Sequence, residues 1–214
     1  MIENGFYSQK ELKKLGFCHV GAQVRLSRRA SVYNPSCLSL GDHCRIDDFC
    51  VLSASTGGIH VGAYVHIGAM SLLVGQEAIH LEEYSGIAGR VCVYSSSDDY
   101  TGETLTNPTI PDAYKNCHHA PVTLKRHVIV GAGSVILPGV TIEEGGAVGA
   151  LSLVTTSLAA FGIYAGIPVK RLGERRRDLL ACEQHFRRDQ GQERGPCVED
   201  IDSSDPGGGE LNVP

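Results

Sequence analysis

From Leu124 to Ala159 the chain reads in sixes: LKRHVI, VGAGSV, ILPGVT, IEEGGA, VGALSL and VTTSLA. An aliphatic residue opens every hexad, at Leu124, Val130, Ile136, Ile142, Val148 and Val154. The fifth place is usually small or β-branched, as at Val128, Ser134, Val140, Gly146 and Ser152. A period of six fits neither the 3.6 residues of a helical turn nor the simple alternation of a lone strand, so the repeat decides the fold. Three hexads close a triangular coil whose walls are short parallel strands, with first-place side chains inward and small residues keeping each turn narrow. The expected class is all-β, a parallel β-helix.

Followed through the chain, the first places are Val20, Leu26, Val32; Leu40, Ile46, Leu52; Val61, Ile67, Leu73; and Leu81, Ile87, Val93, before the run from Leu124. Coil starts at 20, 40, 61 and 81 lie 20, 21 and 20 apart, eighteen plus two or three corner residues. About six coils are predicted. The register also predicts neighbours: an outward ladder of Ser39, His60, His80, Thr123 and Thr141, and a corner ladder of His43, Tyr64, Tyr84, His127 and Gly145, each rung roughly 4.8 Å from the next.

The period breaks between Val93 and Val122, where YSSSDDYTGETLTNPTIPDAYKNCHHAP carries prolines, hydroxyls and carboxylates. A long excursion over about residues 95–121 is expected, and long loops on rigid scaffolds commonly carry function. The boundaries expected are a capping segment 1–19, the β-helix 20–160, a C-terminal segment 161–189 and an acidic, glycine-rich disordered tail 190–214. In the capping segment, Ser8 with Glu11 makes a capping box for a helix over 8–15, stopped at Gly16. In the C-terminal segment, Gly162 to Pro168 is extended and turning. A helix from Glu174 to roughly Arg188 follows, its less polar side made of Leu179, Leu180, Cys182 and Phe186.

Composition narrows the function. A formal charge of −5 over 214 residues argues against general nucleic-acid binding, although Arg175, Arg176 and Arg177 form either a solvated helix face or an anion contact. No apolar run approaches the roughly 20 residues of a membrane span, and no signal peptide opens the chain, so a cytoplasmic protein without membrane insertion is expected. The eight cysteines show no CxxC pair, and Cys44 and Cys50 occupy fifth places, as core fillers in a reducing compartment would.

The hexads, the single looped-out coil and the segment AGIPVKRL together resemble the hexapeptide-repeat acyltransferases, left-handed parallel β-helix homotrimers that use acetyl-CoA or another acyl-CoA. The resemblance spans about Phe6 to Phe186. The stretches YSSSDDYTGETLTNPTIP, PGVTIEEGGAVGALSLVT and GIYAGIPVKRL look like the branch that includes dTDP-4-amino-4,6-dideoxyglucose acyltransferases of bacterial surface-polysaccharide synthesis. The galactoside and maltose acetyltransferases of the family open this loop with a catalytic histidine, and Asp98 stands in its place here.

That substitution has a chemical meaning. Histidine, with a reference pKa near ~6.5, suits activation of a sugar hydroxyl, whereas aspartate near ~3.9 is a weaker base. A sugar amine is nucleophilic once neutral and needs positioning and an outlet for its proton, and carboxylates at Asp98 and Asp99 would hold the incoming ammonium. The resemblance therefore implies N-acylation of a nucleotide-linked amino-deoxysugar. Asp-Asp in a polar loop is equally good turn chemistry. His127, His118 and His119 are the alternative bases, and Tyr84, Tyr100, His118 and His119 the expected acceptor contacts. Matching motifs place acyl-CoA against Ala132, Ala150, Thr155 and Thr156, with Lys170 and Arg171 toward its phosphates. The family often has lysine where Thr156 stands. No metal is required, because a thioester is already activated. Alternatives are O-acetylation of a sugar, the zinc carbonic anhydrases of the same fold, and a non-catalytic scaffold.

Overall fold

A computed structural model describes residues 5–191. Strands stack into three sheets of six, eight and six, each pairing in parallel with its counterpart one coil away except the last strand of the eight, which pairs antiparallel. The first face runs through His19–Val20, Leu38–Leu40, Ile59–Val61, Ile79–Leu81, Val122–Leu124 and Thr141–Ile142. The second face begins at Arg25–Leu26 and the third at Ser31–Tyr33. The β-solenoid has six full coils and a partial seventh, in which Leu158 bridges to Ile142 and Gly162–Gly166 pairs with Ala147–Val148. The sequence expectation of six coils stops one short, because the last start, Leu158, follows Ile142 after 16 residues rather than eighteen.

The predicted first places fill the interior. Leu26, Leu40, Ile46, Leu52, Ile67, Leu73, Leu81, Ile87, Val93, Leu124, Val130, Ile136, Ile142 and Val154 are all at most 1% exposed. Each such side chain contributes roughly 1.5–3 kcal/mol by leaving water. Val20 and Val32, in the first coil, are half-buried. Cys44 and Cys50 are core fillers as expected, and burial pushes the Cys44 thiol up to about 12.

Both predicted ladders form. His80 pairs with His60 in register, their rings stacked at 4.6 Å. At the first edge, between the first and second faces, the rings of His43, Tyr64, Tyr84 and His127 stack at 4.8, 5.2 and 5.3 Å. Each of these four residues has φ between 56° and 60°, the left-handed turn that swings the ring outward. Gly145 continues the row without a side chain because Phe161 of the next coil fills that space; a Cβ on Gly145 would lie 2.5 Å from its ring.

The termini correct three boundaries. The capping box at Ser8 and Glu11 is present, but the helix spans only Gln9–Leu12 rather than 8–15, continuing as turns to Gly16 at φ 79°. Only Leu12 of this helix is buried, so one apolar contact anchors it. Glu174 does not start a helix: Val169–Glu174 is a strand, antiparallel to Gly162–Gly166. The helix spans Asp178–Asp189 and belongs to a second compact unit beginning at Arg177. Cys182, expected on its apolar side, is exposed. Beyond Gly191 the predicted tail lies outside the described residues.

Successive coils approach closely at the first edge, where a Cβ on Gly41 would lie 2.5 Å from the carbonyl carbon of Gly62. Gly173 has nothing within 4 Å of such a Cβ. Gly41→Ala should therefore lower unfolding free energy by about 1–3 kcal/mol, and Gly173→Ala should change it by less than about 1 kcal/mol. Urea unfolding of both variants checks this, and equal losses would contradict the coil spacing.

Candidate active site

The long excursion leaves the solenoid after the strand Cys92–Tyr94 and rejoins it at Val122–Leu124, so it projects from the third edge. It is clamped at its base. Ser95 is fully buried, its backbone N–H donating to Val74 O at 3.1 Å and its hydroxyl to Glu77 O at 2.6 Å. Ser96–Ser97 then pairs antiparallel with His118–His119, Ser96 opposite His119 and Ser97 opposite His118. The hydroxyl of Ser96 accepts from Gln76 N–H at 2.8 Å and lies 2.9 Å from His119 Nδ1. A groove of about 340 Å³ flanks this stem, lined by Asn34, Ser55, Gln76 and Ser96 together with the apolar Ala54 and Val74.

The adjacent aspartates do different things. Asp99 turns into its own loop: Oδ1 accepts from Thr101 N–H at 2.8 Å and its hydroxyl at 2.7 Å, and Oδ2 from Thr104 N–H at 3.0 Å and its hydroxyl at 2.9 Å. These donors, Thr101 first, pull its carboxyl down to about 2. That makes Asp99 a poor proton acceptor and a good organiser of the turn. Asp98, exposed, lies at the end of the stem, where the thiol of Cys117 donates to its Oδ1 at 3.5 Å. Lys115 stands near this pair, its ammonium 3.0 Å from Asp112, whose carboxylate raises it above the ordinary lysine range.

The remaining predicted residues sit on other parts of the prism. His118 and His119 are exposed on the stem, and Tyr100 is 93% exposed in the loop. Tyr84 and His127 belong to the ring stack of the first edge, so one chain does not bring His127 beside Asp98. The guanidinium of Arg126 lies 5.9 Å over the Tyr84 ring. Ala132 and Ala150 are exposed at the second edge, on successive coils so close that a Cβ on Gly131 would lie 2.4 Å from Ala150 N. Thr155 and Thr156 are exposed at the third edge, two coils beyond the loop. Lys170 and Arg171 are exposed on Val169–Glu174, Arg171 paired with Glu174.

Arg175 has a task the basic run did not suggest: its guanidinium donates to the carbonyls of His127 at 2.7 Å and Gly145 at 3.0 Å, tying two rungs of the first edge together. Ser96 and Cys117 are the site residues that sequence reasoning passed over as actors. A two-residue ladder has no hydrophobic alternation by which to find it. Among the described residues, no cluster of three or more His, Cys, Asp or Glu side chains is arranged to hold a metal ion. His66 Nε2 lies 2.8 Å from Asp47 Oδ2 on the second face.

No family model matches the chain. A dTDP-4-amino-4,6-dideoxy-D-glucose acyltransferase of Escherichia coli is 41% identical over 182 residues, 85% of this chain and 95% of its own length. The chain belongs to that acyltransferase family. AntD, an N-acyltransferase from Bacillus cereus solved with dTDP and 3-hydroxybutyryl-CoA, is similar at 46% identity and TM-score 0.84, over 88% of this chain and 99% of its own. A serine-to-alanine variant of AntD, solved with dTDP-4-amino-4,6-dideoxyglucose and coenzyme A, matches at 46% identity and TM-score 0.83, over 87% of this chain and 99% of its own.

Asp99 titrates below an unfolded carboxylate, near ~3.9, so its contribution to loop order is present above that pH and is lost as pH falls through about 2. An NMR titration of its carboxyl carbon should give a midpoint at about 2. Asp99→Ala should speed proteolysis within residues 98–117 while leaving the unfolding midpoint of the solenoid unchanged. A midpoint near ~4 would mean that the four donors are not engaged.

Proposed function

We propose that the protein transfers an acyl group from an acyl-coenzyme A, such as acetyl-CoA, to the amino group of a dTDP-linked 4-amino-4,6-dideoxyhexose. One observation carries the reading: the chain matches, over 95–99% of their lengths, an acyltransferase and an N-acyltransferase whose names and complexes contain this sugar and coenzyme A. The stem residue Asp98 supports it. A carboxylate holds an ammonium by a charge-assisted hydrogen bond and passes one proton to solvent, leaving a neutral amine. The amine nitrogen then bonds to the acyl carbon, the C–S bond breaks with its electron pair on sulfur, and the second nitrogen proton ends on that sulfur. The products are an amide and coenzyme A thiol.

Asp99 serves in this reading by shaping the turn that presents Asp98, and Tyr100, His118 and His119 surround the acceptor. Ala132 and Ala150 leave the second edge open for the pantetheine arm, with Thr155 and Thr156 of the third edge as further coenzyme contacts and Lys170 and Arg171 toward the phosphates. Because the two alanines, Tyr84 and His127 lie on other edges than Asp98, the working unit is a homotrimer with each site between two subunits, and Tyr84 and His127 would reach a neighbour's acceptor. Exposed Met70, Ile129 and Leu151 near the second edge support such a contact. The seven cysteines among the described residues are free thiols, which supports a reducing, cytoplasmic setting. Supply of acylated sugar for surface polysaccharide is the corresponding cellular role.

Mass spectrometry of the protein with acetyl-CoA and dTDP-4-amino-4,6-dideoxyglucose should show the N-acetylated sugar, and Asp98→Asn should slow turnover by about 100-fold or more. Acceptance of hydroxyl sugars alone would overturn N-acylation, and undiminished turnover by Asp98→Asn would remove Asp98 from the chemistry. Ala150→Asp should abolish coenzyme A binding in calorimetry without changing the mass by light scattering, which is expected to correspond to three chains.

A further inference from the structure

Asp98 and Cys117 are brought together by backbone pairing. In the stem, Ser96 faces His119 and Ser97 faces His118, so Asp98 and Cys117 are the next opposed residues, where antiparallel geometry places Cβ atoms about 5 Å apart. The base of that ladder is fixed to the solenoid by Ser95 and by the Gln76 N–H bond to Ser96. The thiol of Cys117, half-buried, donates to Oδ1 of Asp98 at 3.5 Å.

We infer that Cys117 is a positioning residue for the acyl transfer: its thiol holds Oδ1 of Asp98, so that Oδ2 faces the ammonium of the incoming amino sugar. This rests on the reading of Asp98 as the residue that receives the amine. The thiol fits the task in three ways. Sulfur's long C–S bonds and contact radius span a gap too wide for a serine hydroxyl in the same rotamer. A thiol is a weak donor, so it orients the carboxylate without neutralising it. Desolvation first, and the neighbouring Asp98 second, raise the thiol above its ordinary range, so it remains protonated and donates at neutral pH. Lys115, close to both groups and tethered to Asp112, places a positive charge beside them.

The test is a double-mutant cycle on the full chain, following formation of the acylated sugar by mass spectrometry so that protein thiols do not interfere. Cys117→Ala should lower kcat/KM for the amino sugar about tenfold in the native background, with KM for acetyl-CoA unchanged. In an Asp98→Ala background the same substitution should cost nothing further, because no carboxylate remains to orient. Cys117→Ser, a donor set too far back, should recover only part of the loss. An equal loss in both backgrounds would make Cys117 merely structural and overturn the inference. No loss in either, with Asp98→Ala itself impaired, would overturn it while leaving the role of Asp98 intact. Full activity of Asp98→Ala would overturn the reading of Asp98 and this inference with it.

Discussion

The whole structure depends on one contact repeated along its axis: an aliphatic side chain at each wall of a coil packing on its equivalents one coil above and below. Backbone hydrogen bonds between coils fix the spacing, and glycines such as Gly41 and Gly62 let the corners come as close as those bonds require. Because each wall is in register with its neighbours, a residue's position in the hexad fixes both its face and its depth. The long excursion does not disturb this. Cys92–Tyr94 pairs with the strand before it, and Val122–Leu124 with the strands before and after it, as though the intervening residues were absent.

A scaffold of that stiffness turns a loop into a positioned group. The base of the excursion is fastened through Ser95 and Ser96, a two-residue ladder carries the fastening outward, and the ladder delivers Asp98 opposite Cys117. Asp99, one residue on, spends its lone pairs on Thr101 and Thr104 and so shapes the remainder of the loop. Two neighbouring carboxylates thus differ in their surroundings, Asp99 turned into the loop and Asp98 exposed at the end of the stem. The same rigidity separates the ring stack of the first edge, the alanines of the second and the loop of the third. An enzyme built on such a prism gains by joining edges of different copies, which is the physical argument for a shared site.

The regular parts were legible in the sequence because period six has one structural solution here. His60 beside His80, and His43 through His127 in one stack, follow from counting alone. Elements outside the period were less legible. The helix expected over 8–15 shrinks because only Leu12 has a core to face, and Glu174 enters a strand because Gly162–Gly166 offers an open edge that local propensity does not reveal. The basic run suggested solvent or an anion, yet Arg175 ties backbone carbonyls of two coils, a role set by tertiary proximity. The motif resemblance singled out Asp98 and Asp99 together; that Asp99 bonds Thr101 and Thr104 while Asp98 meets the Cys117 thiol depends on hydrogen-bond directions that no spacing encodes.

The central claim is that a fixed solenoid presents the Asp98 carboxylate to a sugar amine poised for acyl transfer. A crystal structure of the protein with coenzyme A and dTDP-4-amino-4,6-dideoxyglucose tests it most directly. The account predicts the amine nitrogen within hydrogen-bonding distance of Asp98, and the coenzyme sulfur arriving along Ala132 and Ala150 of an adjoining subunit. An amine held by His118, His119 or His127 and remote from Asp98 would contradict it.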